Sequence, residues 1–317
     1  MVRKKLNIAI IALLVASLAQ AAPPPPKPDV ALGQDGKLAY VADEHGNRIP
    51  DFSYAGYMGG GVRIPDVPVK IVVPVAGGDA RGRIQSAIDY VSGLPADEHG
   101  IRGAVLLQRG RYKVDGGLLI KTSGVVLRGS GMGEEGTVLF AAGTDRRTLV
   151  RIAGKDDRKI DSHPFAVEGY VPVAATRLRL RDKANLKVGD TILIKRPSTA
   201  EWIKAIGMDY MGGDRHSFTW KPGSRDITWD RVVTKVAGNE IGFDAPITTA
   251  LDPAFGGGSI ASYTWPGRIS KVGVENLHCE SAYDKENPKD EEHSWLAVTF
   301  CSAMVKAEAR PSSIQCR

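Results

Sequence analysis

The spacing of hydrophobic residues changes along this 317-residue chain, and each spacing predicts a different kind of element. One segment has the i, i+3, i+4 and i+7 spacing of an amphipathic helix, with apolar residues at Ile84, Ala87, Ile88 and Val91. Asp79 is the predicted N-cap of this helix and Gly93 its predicted end, because short polar residues favour the first position and glycine the last. The sequence therefore predicts one prominent helix over 83–91.

In the next part of the chain the apolar runs become short and are interrupted by glycine, as in AVLLQ, RYKV, GLLI, VVLRG, TVLF and TLVRI. Runs this short and closely spaced predict strands without helices between them. Val105 and Val126 are 21 residues apart, and so are Leu118 and Leu139. A repeat of that length with several strands in it indicates a solenoid, and a parallel β-helix is the leading interpretation. The first rung of such a stack needs a cover, which the predicted helix is expected to provide.

A pattern typical of antiparallel strands fills the middle of the chain. Leu178 and Leu180, and then Ile192 and Ile194, alternate with polar residues on either side of a glycine-containing turn. Half-buried strands in an antiparallel sheet show this alternation because successive side chains point to opposite faces. We expect residues 169–263 to form a small antiparallel β-subdomain inserted between coils of the β-helix.

The first residues have the three parts of a secretory signal peptide. Three basic residues precede an apolar run at 6–19, which ends in the small-residue motif Ala19-Gln20-Ala21. The run is shorter than the roughly 20 residues that span a bilayer, so cleavage after Ala21 is expected and no membrane anchor is predicted after it. The mature protein is expected to be secreted or periplasmic.

Composition agrees with a soluble, turn-rich and mostly β protein. The chain is 43% hydrophobic and 25% charged, which excludes disorder and collagen, and its 36 glycines and 19 prolines are more than a helical bundle tolerates. The formal net charge is +6, but three of the cations precede the signal run, so nucleic acid is not an expected partner. Three cysteines without metal-ligand spacing predict neither a disulfide framework nor a zinc site.

Two segments resemble a known superfamily. The sequence GDARGRIQSAIDYVSG at 78–93, followed by GAVLLQRGRYKVDGGLLIKTSGVVLRGSGMGEEGTVLFAAG at 103–143, is similar to the start of the pectate-lyase-like superfamily. That resemblance implies a single-stranded right-handed parallel β-helix with a capping helix. The usual Asp-Asp-Thr type entry is replaced here by Gly-Asp-Ala-Arg at 78–81. The resemblance also implies an exported protein that acts on polysaccharides, by β-elimination at a uronic acid or by hydrolysis.

The densest polar cluster, YDKENPKDEEH at 283–293, is the candidate for this chemistry. Elimination needs a base and a cation that neutralises the uronate, whereas hydrolysis needs two carboxyl groups. The candidate catalytic residues are His293, Lys285 and Glu292, and the candidate Ca²⁺ ligands are Asp284, Asp290 and Glu291. Charged runs are also common on solvated loops, and this alternative stays open.

A second cluster, within 202–229, combines aromatic and charged residues that are suited to sugars. Aromatic rings stack on sugar faces, and charged groups clamp acidic sugars. The candidate substrate-binding residues are Trp202, Tyr210, His216, Trp220 and Arg225, together with Tyr283 from the polar cluster. The alternative is that these tryptophans form the core of the inserted subdomain, because Trp is usually largely buried.

The predicted organisation has six parts. These are a signal peptide at 1–21, a proline-rich linker at 22–29, N-terminal strands with the cap helix and first coils at 30–168, the inserted β-subdomain at 169–263, returning coils at 264–300 and an aperiodic tail at 301–317. The tail has no polar capping element, so we expect a truncated or frame-shifted end, although a cap supplied by a partner or by chain exchange also fits.

The expected function is a secreted, monomeric protein that degrades an acidic polysaccharide. The alternatives are a non-catalytic β-helix that binds glycans or displays a surface, and an inactive fragment of such an enzyme.

Overall fold

The computed structural model describes residues 29–60, 62–144, 147–210, 219–284, 286, 295–301 and 314–316, and most of their regular structure is β-strand. Two α-helices lie among them, α1 at Arg81–Gly93 and α2 at Ala200–Ala205. The strands are β1 Val30–Leu32, β2 Leu38–Tyr40, β3 Val69–Val73, β4 Gly103–Leu107, β5 Gly110–Asp115, β6 Leu118–Ile120, β7 Val125–Arg128, β8 Thr137–Ala142, β9 Thr148–Ala153, β10 Lys159–Ile160, β11 Phe165–Ala166, β12 Arg177–Arg179, β13 Thr191–Arg196, β14 Ile227–Ala237, β15 Glu240–Phe243, β16 Ser259–Thr264, β17 Gly273–Glu275, β18 Leu277–Ser281, β19 Leu296–Cys301 and β20 Ile314–Cys316. Short 3-10 helices lie at Phe52–Ala55, Tyr57–Gly59 and Pro253–Phe255.

Strands β3 to β9, before the middle of the chain, and β17 to β20, after it, form three parallel sheets, and consecutive strands of each coil belong to different sheets. The first has the order β17-β7-β4-β3, the second β20-β18-β8-β5 and the third β19-β9-β6. Every neighbouring pair in them is parallel. Each coil thus gives one strand to each sheet, which is the arrangement of a parallel β-helix, and the predicted mostly β fold is confirmed.

The stacking register differs from the predicted 21-residue repeat. Val105 pairs with Leu127, one residue beyond the predicted Val126. Leu118 pairs with Val150, whereas Leu139 pairs with Tyr112. The 21-residue spacing of Leu118 and Leu139 therefore does not reflect the stacking of coils. The register shifts because turn lengths differ: two residues join β4 to β5 in the first coil, while residues 129–136 form a longer turn between β7 and β8.

The helix predicted from its apolar face lies against the interior of the coils. The buried residues of α1 are Ile84, Ala87, Ile88 and Val91, and they pack with the aliphatic residues that line the inside of the first strands. Gly93 is the last residue of the helix, as predicted. Ala80, and not Asp79, occupies the N-cap position. The carboxylate of Asp79 instead accepts hydrogen bonds from the backbone N–H groups of Arg81 at 2.9 Å and Asp115 at 3.0 Å.

An antiparallel sheet interrupts the coils between β9 and β17. Its order is β10-β16-β13-β14-β15-β12, with β11 also paired to β16. Its separate core contains Ile192, Ile194 and Trp229. The sheet begins at Lys159 and ends at Thr264, so it extends beyond the predicted limits of 169–263 at both ends.

The two ends of this inserted sheet meet where it leaves the coils. The backbone N–H of Lys155 donates to the carbonyl of Gly267 at 2.9 Å, which joins the outgoing and returning chain. The returning chain then forms β17, β18 and β19. Cys301 ends β19, and within the segment predicted to be aperiodic Ile314–Cys316 forms β20, parallel to β18.

Two further predictions concern the ends of the chain and the cysteines. Residues 1–21, the predicted signal peptide, lie outside the described residues.

No helix in the described part of the chain is long and apolar enough to span a bilayer. Cys279 is buried and Cys301 is partly exposed.

Candidate functional site

A stack of two tryptophans and two arginines lies at one edge of the inserted sheet. We call it the tryptophan–arginine stack, and its members are Arg196, Trp202, Trp220 and Arg225. Arg196 is the last residue of β13, and Trp202 lies in the first turn of α2. The helix starts there because the Thr199 side chain accepts a hydrogen bond from the backbone N–H of Trp202 at 3.3 Å.

The four side chains follow one another face to face. The guanidinium carbon of Arg196 lies 3.9 Å from the centre of the Trp202 ring. The Trp202 and Trp220 rings are stacked, with centroids 5.8 Å apart and an angle of 27° between their planes. The guanidinium carbon of Arg225 lies 5.1 Å from the Trp220 ring. Planar guanidinium groups stack on indole rings by cation–π attraction and dispersion, so the order is Arg196, Trp202, Trp220, Arg225.

The inner end of the stack is buried. Arg196 follows Ile192 and Ile194 on the apolar face of β13. Although it is charged, its side chain is therefore buried, with only 3% exposed. Burial lowers the pKa of Arg196, and the nearby Asp226 carboxylate opposes that shift. One guanidinium nitrogen, Nη1, is buried without a hydrogen-bond partner in the described part of the chain. The Trp202 ring and the Asp226 carboxylate both stabilise this cation.

Asp226 fixes the base of the loop that carries the outer half of the stack. Its carboxylate accepts hydrogen bonds from the backbone N–H of Ser198 at 2.8 Å and from the Ser198 hydroxyl at 2.9 Å, and it pairs with the Lys195 ammonium at 2.7 Å. Burial raises the pKa of Asp226, but these donors outweigh burial and hold the pKa below its usual range. The Ser198 hydroxyl in turn accepts from the backbone N–H of Arg225 at 2.9 Å.

The outer end of the stack faces solvent. Arg225 is exposed, and in the described part of the chain its guanidinium forms no ion pair and donates only to the carbonyl of Ser224, at 3.1 Å. Trp202 and Trp220 are half-buried and do not belong to the core of the inserted sheet, whereas Trp229 does. The arrangement thus holds, as far as the described residues go, a guanidinium without a carboxylate partner beside partly exposed indole rings.

The structure brings together some of the predicted substrate-binding residues and separates others. Trp202, Trp220 and Arg225 share the stack. Tyr210 is 63% exposed and is not a member of it, and His216 lies outside the described residues. Tyr283 follows β18, on the β-helix and not on the inserted sheet.

The predicted catalytic cluster is described only in part. Lys285, Glu292 and His293 lie outside the described residues, as do Asp290 and Glu291, so of the predicted Ca²⁺ ligands only Asp284 is described. The two ends of this loop are tied together, since the Ser281 hydroxyl accepts from the backbone N–H of Trp295 at 3.1 Å. Among the residues that the structure describes, no three His, Cys, Asp or Glu side chains are grouped to hold a metal ion. The Ca²⁺ site therefore stays a prediction.

Three residues on which this site depends were not among the predicted site residues, namely Lys195, Arg196 and Ser198. A signal was present, because Ile192, Ile194 and Arg196 continue the same period of two. The alternation places an arginine on the buried face of a strand. Such a residue needs a partner, and the Trp202 ring supplies one.

No protein-family model matches this chain, and no curated protein matches it. The solved structures that are similar to it include three phage tailspikes. Tailspike Gp54 of Acinetobacter baumannii bacteriophage AP22, in complex with an A. baumannii capsular saccharide, is 12% identical, with a TM-score of 0.38 over 72% of this chain and 30% of the tailspike. Tailspike gp49 of Pseudomonas phage LKA1 is 15% identical, with a TM-score of 0.30 over 63% of this chain and 29% of its own. Tailspike gp61 of Pseudomonas phage phi297 is 16% identical, with a TM-score of 0.34 over 69% and 30%. The chain thus spans less than a third of the length of these structures.

Proposed function

We propose that this chain is a secreted, carbohydrate-active protein of the right-handed β-helix type, which binds an acidic polysaccharide at the tryptophan–arginine stack. The observation that carries the proposal is the exposed guanidinium of Arg225, which lies 5.1 Å from the Trp220 ring and has no carboxylate partner in the described part of the chain.

The chemistry of the stack fits an acidic sugar. A guanidinium presents two parallel N–H donors that match the two oxygens of a carboxylate. Apolar C–H faces of a sugar ring pack on indole, and Trp220 is half-buried beside that cation. Because Arg196 and Trp202 support Trp220 from behind, little side-chain entropy is lost when the ligand binds.

Degradation of the bound polysaccharide is the wider form of the proposal. His293, Lys285 and Glu292 are the proposed acid–base residues, and Asp284, Asp290 and Glu291 are the proposed Ca²⁺ ligands. In support, the loop that carries them is tied at its base to strands of the β-helix, through Ser281 and Trp295. A protein that binds glycans without cleaving them is the second form, and the stack alone is sufficient for it.

The test is binding and turnover of polygalacturonate, alginate and hyaluronan, with neutral dextran as the control polymer. Binding is measured by affinity electrophoresis, and turnover by unsaturated uronates and by new reducing ends, each with CaCl₂ or with EDTA. Arg225→Gln and Trp220→Ala are expected to weaken binding of the acidic polymers at least tenfold. Arg181→Gln, which removes another exposed cation of the inserted sheet, is the matched control and is expected to bind normally.

Each outcome has a distinct meaning. Unsaturated products support elimination, and reducing ends without unsaturation support hydrolysis. Binding without products supports the non-catalytic form. If the wild-type protein binds none of the acidic polymers, or if both stack variants bind as well as it does, the proposed function is wrong.

A further inference from the structure

A second basic feature lies on the β-helix itself, on the outer face of the third parallel sheet. Leu119 of β6 pairs with Arg151 of β9, and the next pair is Ile120 with Ile152. Both isoleucines are fully buried in the interior of the coils. Because side chains alternate along a strand, Leu119 and Arg151 point outward, and both are exposed.

Two lysines line the same cavity as Arg151. Lys121 is the first residue after Ile120, which continues the register to a position opposite Ala153, and Lys155 is two residues beyond Ala153. A cavity of about 460 Å³ opens between these three cations. We call it the basic groove, and its lining residues are Leu119, Lys121, Arg151, Ala153, Gly154 and Lys155. The small residues at 153 and 154 leave the space that the longer side chains surround.

The lining of the groove is positively charged. Among the described residues no Asp or Glu lines it, and none of its three cations forms an ion pair there. Like charges gathered on one face repel each other, and a bound anion relieves that repulsion. Leu119 adds an apolar surface beside the cations, which is typical of a site for a ligand that has carbon faces as well as charge.

One end of the groove is held rigidly by the returning chain. The Lys155 backbone donates to the carbonyl of Gly267 at 2.9 Å and accepts from the indole N–H of Trp265 at 2.8 Å. The Trp265 ring also has the Arg158 guanidinium 5.0 Å from its centre. Because its backbone is fixed on both sides, the position of Lys155 does not depend on the ligand.

We infer that the basic groove is a second saccharide-binding site, which takes the anionic groups of an acidic polysaccharide chain. This inference rests on the proposed function and adds to it a location on the β-helix, separate from the tryptophan–arginine stack. The three cations of the groove come from two successive coils and are spread over its lining. Several cations arranged around one groove suit repeated charges on a polymer better than one small anion.

The test uses the full chain and its variant with both Arg151→Gln and Lys155→Gln. These side chains are exposed, so the variant is expected to keep the melting temperature of the wild type. The probes are polygalacturonate for carboxylates, dextran sulfate for sulfates, neutral dextran as the uncharged control and a short DNA duplex for phosphates. We expect the double variant to bind polygalacturonate or dextran sulfate at least tenfold more weakly, with the loss largest at low salt. Arg181→Gln is the matched control and is expected to bind as the wild type does.

The relative losses distinguish the two anions, since a larger loss for polygalacturonate indicates carboxylate recognition and a larger loss for dextran sulfate indicates sulfate recognition. The inference is overturned if the double variant binds both acidic polymers as tightly as the wild type. If Arg225→Gln still weakens binding in that case, the proposed function stands and only the basic groove is excluded as a binding site. Tighter binding of the DNA duplex than of either polymer, lost in the double variant, would make the groove a nucleic-acid site and also overturn the inference. If the wild type binds no acidic polymer, both proposals fail together.

Discussion

The side-chain amide of Gln85 forms two hydrogen bonds with the backbone of Leu119, in the place where a neighbouring strand would otherwise pair. The Leu119 N–H donates to Oε1 of Gln85 at 2.9 Å, and Nε2 of Gln85 donates to the Leu119 carbonyl at 3.0 Å. Leu119 lies in β6, which is an edge strand of the third parallel sheet. An unpaired edge is a template for unwanted strand pairing, so one glutamine of α1 satisfies the edge at the point where it is exposed.

Replacement of Gln85 is therefore expected to weaken the first coil. Gln85→Ala leaves one donor and one acceptor of Leu119 without a protein partner and is expected to cost about 2 kcal/mol of unfolding free energy, measured by urea denaturation. Gln85→Glu keeps the acceptor but loses the donor while it is ionised. Its deficit should shrink as the pH falls below about 4.3, where a carboxyl group becomes protonated and can donate again. A deficit that does not change with pH would contradict this role of the amide.

Alanine substitutions at Gly124 and at Gly82 are expected to change the free energy of unfolding in opposite directions. Gly124 has a φ of +80°, and a Cβ there would overlap the carbonyl oxygen of Gly100 and lie 2.9 Å from the backbone nitrogen of Arg102. Gly124→Ala is expected to destabilise the fold by about 3 kcal/mol, since backbone strain and overlap add. Gly82 lies in α1 with open space around it, so Gly82→Ala should stabilise by about 0.5 to 1 kcal/mol. Chemical denaturation of both variants measures the contrast, and equal effects would rule out the steric explanation.

Sequence patterns predicted those parts of the fold that depend on local periodicity. The apolar positions of α1 and the alternation of Ile192 and Ile194 are local, and the structure buries both sets as predicted. The register between coils is not local. It depends on turn lengths, and the long turn after β7 moved Leu139 to a different sheet from Leu118.

The candidate site was predictable only in composition. Trp202, Trp220 and Arg225 were singled out because aromatic and charged residues cluster there, and they do meet in space. Their supporting partner Arg196 comes from the preceding strand, and only the tertiary pairing of that strand shows that it is buried. The basic groove was not predicted at all. Its cations come from successive coils, which the sequence places about 30 residues apart.

His278 should be replaceable by an apolar residue without loss of stability. The imidazole is 2% exposed, and neither ring nitrogen has a hydrogen-bond partner among the residues that the structure describes. Burial of an unsatisfied polar group costs free energy that an apolar side chain of similar size avoids. His278→Leu is expected to raise the unfolding free energy by about 1 kcal/mol, with the exposed His99→Leu as the control, for which the change should stay within about 0.5 kcal/mol. A clear destabilisation by His278→Leu would mean that the ring has a polar role.

Asp226 links the stability of the inserted sheet to pH. Burial raises its pKa, but the hydrogen bonds from Lys195 and Ser198 outweigh burial, so the folded-state pKa is lower than the unfolded one. A carboxyl group of this kind stabilises the fold fully above its unfolded pKa of about 3.9, and this contribution is lost as the pH falls through the folded pKa. Asp226→Asn is therefore expected to cost about 2 kcal/mol at neutral pH, because the ion pair with Lys195 is lost and the remaining hydrogen bonds no longer go to a charged group.

The difference in unfolding free energy between Asp226→Asn and the wild type should shrink steadily below about pH 4, because the wild-type carboxyl then becomes neutral as well. Urea unfolding across that range measures it, and Asp182→Asn, an exposed carboxyl without an ion pair in the described part of the chain, is expected to show no such trend. Asp226 also anchors the loop that presents Arg225, through the Ser198 hydroxyl. Asp226→Asn should therefore weaken binding of polygalacturonate at neutral pH by a smaller factor than Arg225→Gln does. If Asp226→Asn instead binds as tightly as the wild type while it loses stability, Asp226 supports the sheet but does not position the arginine.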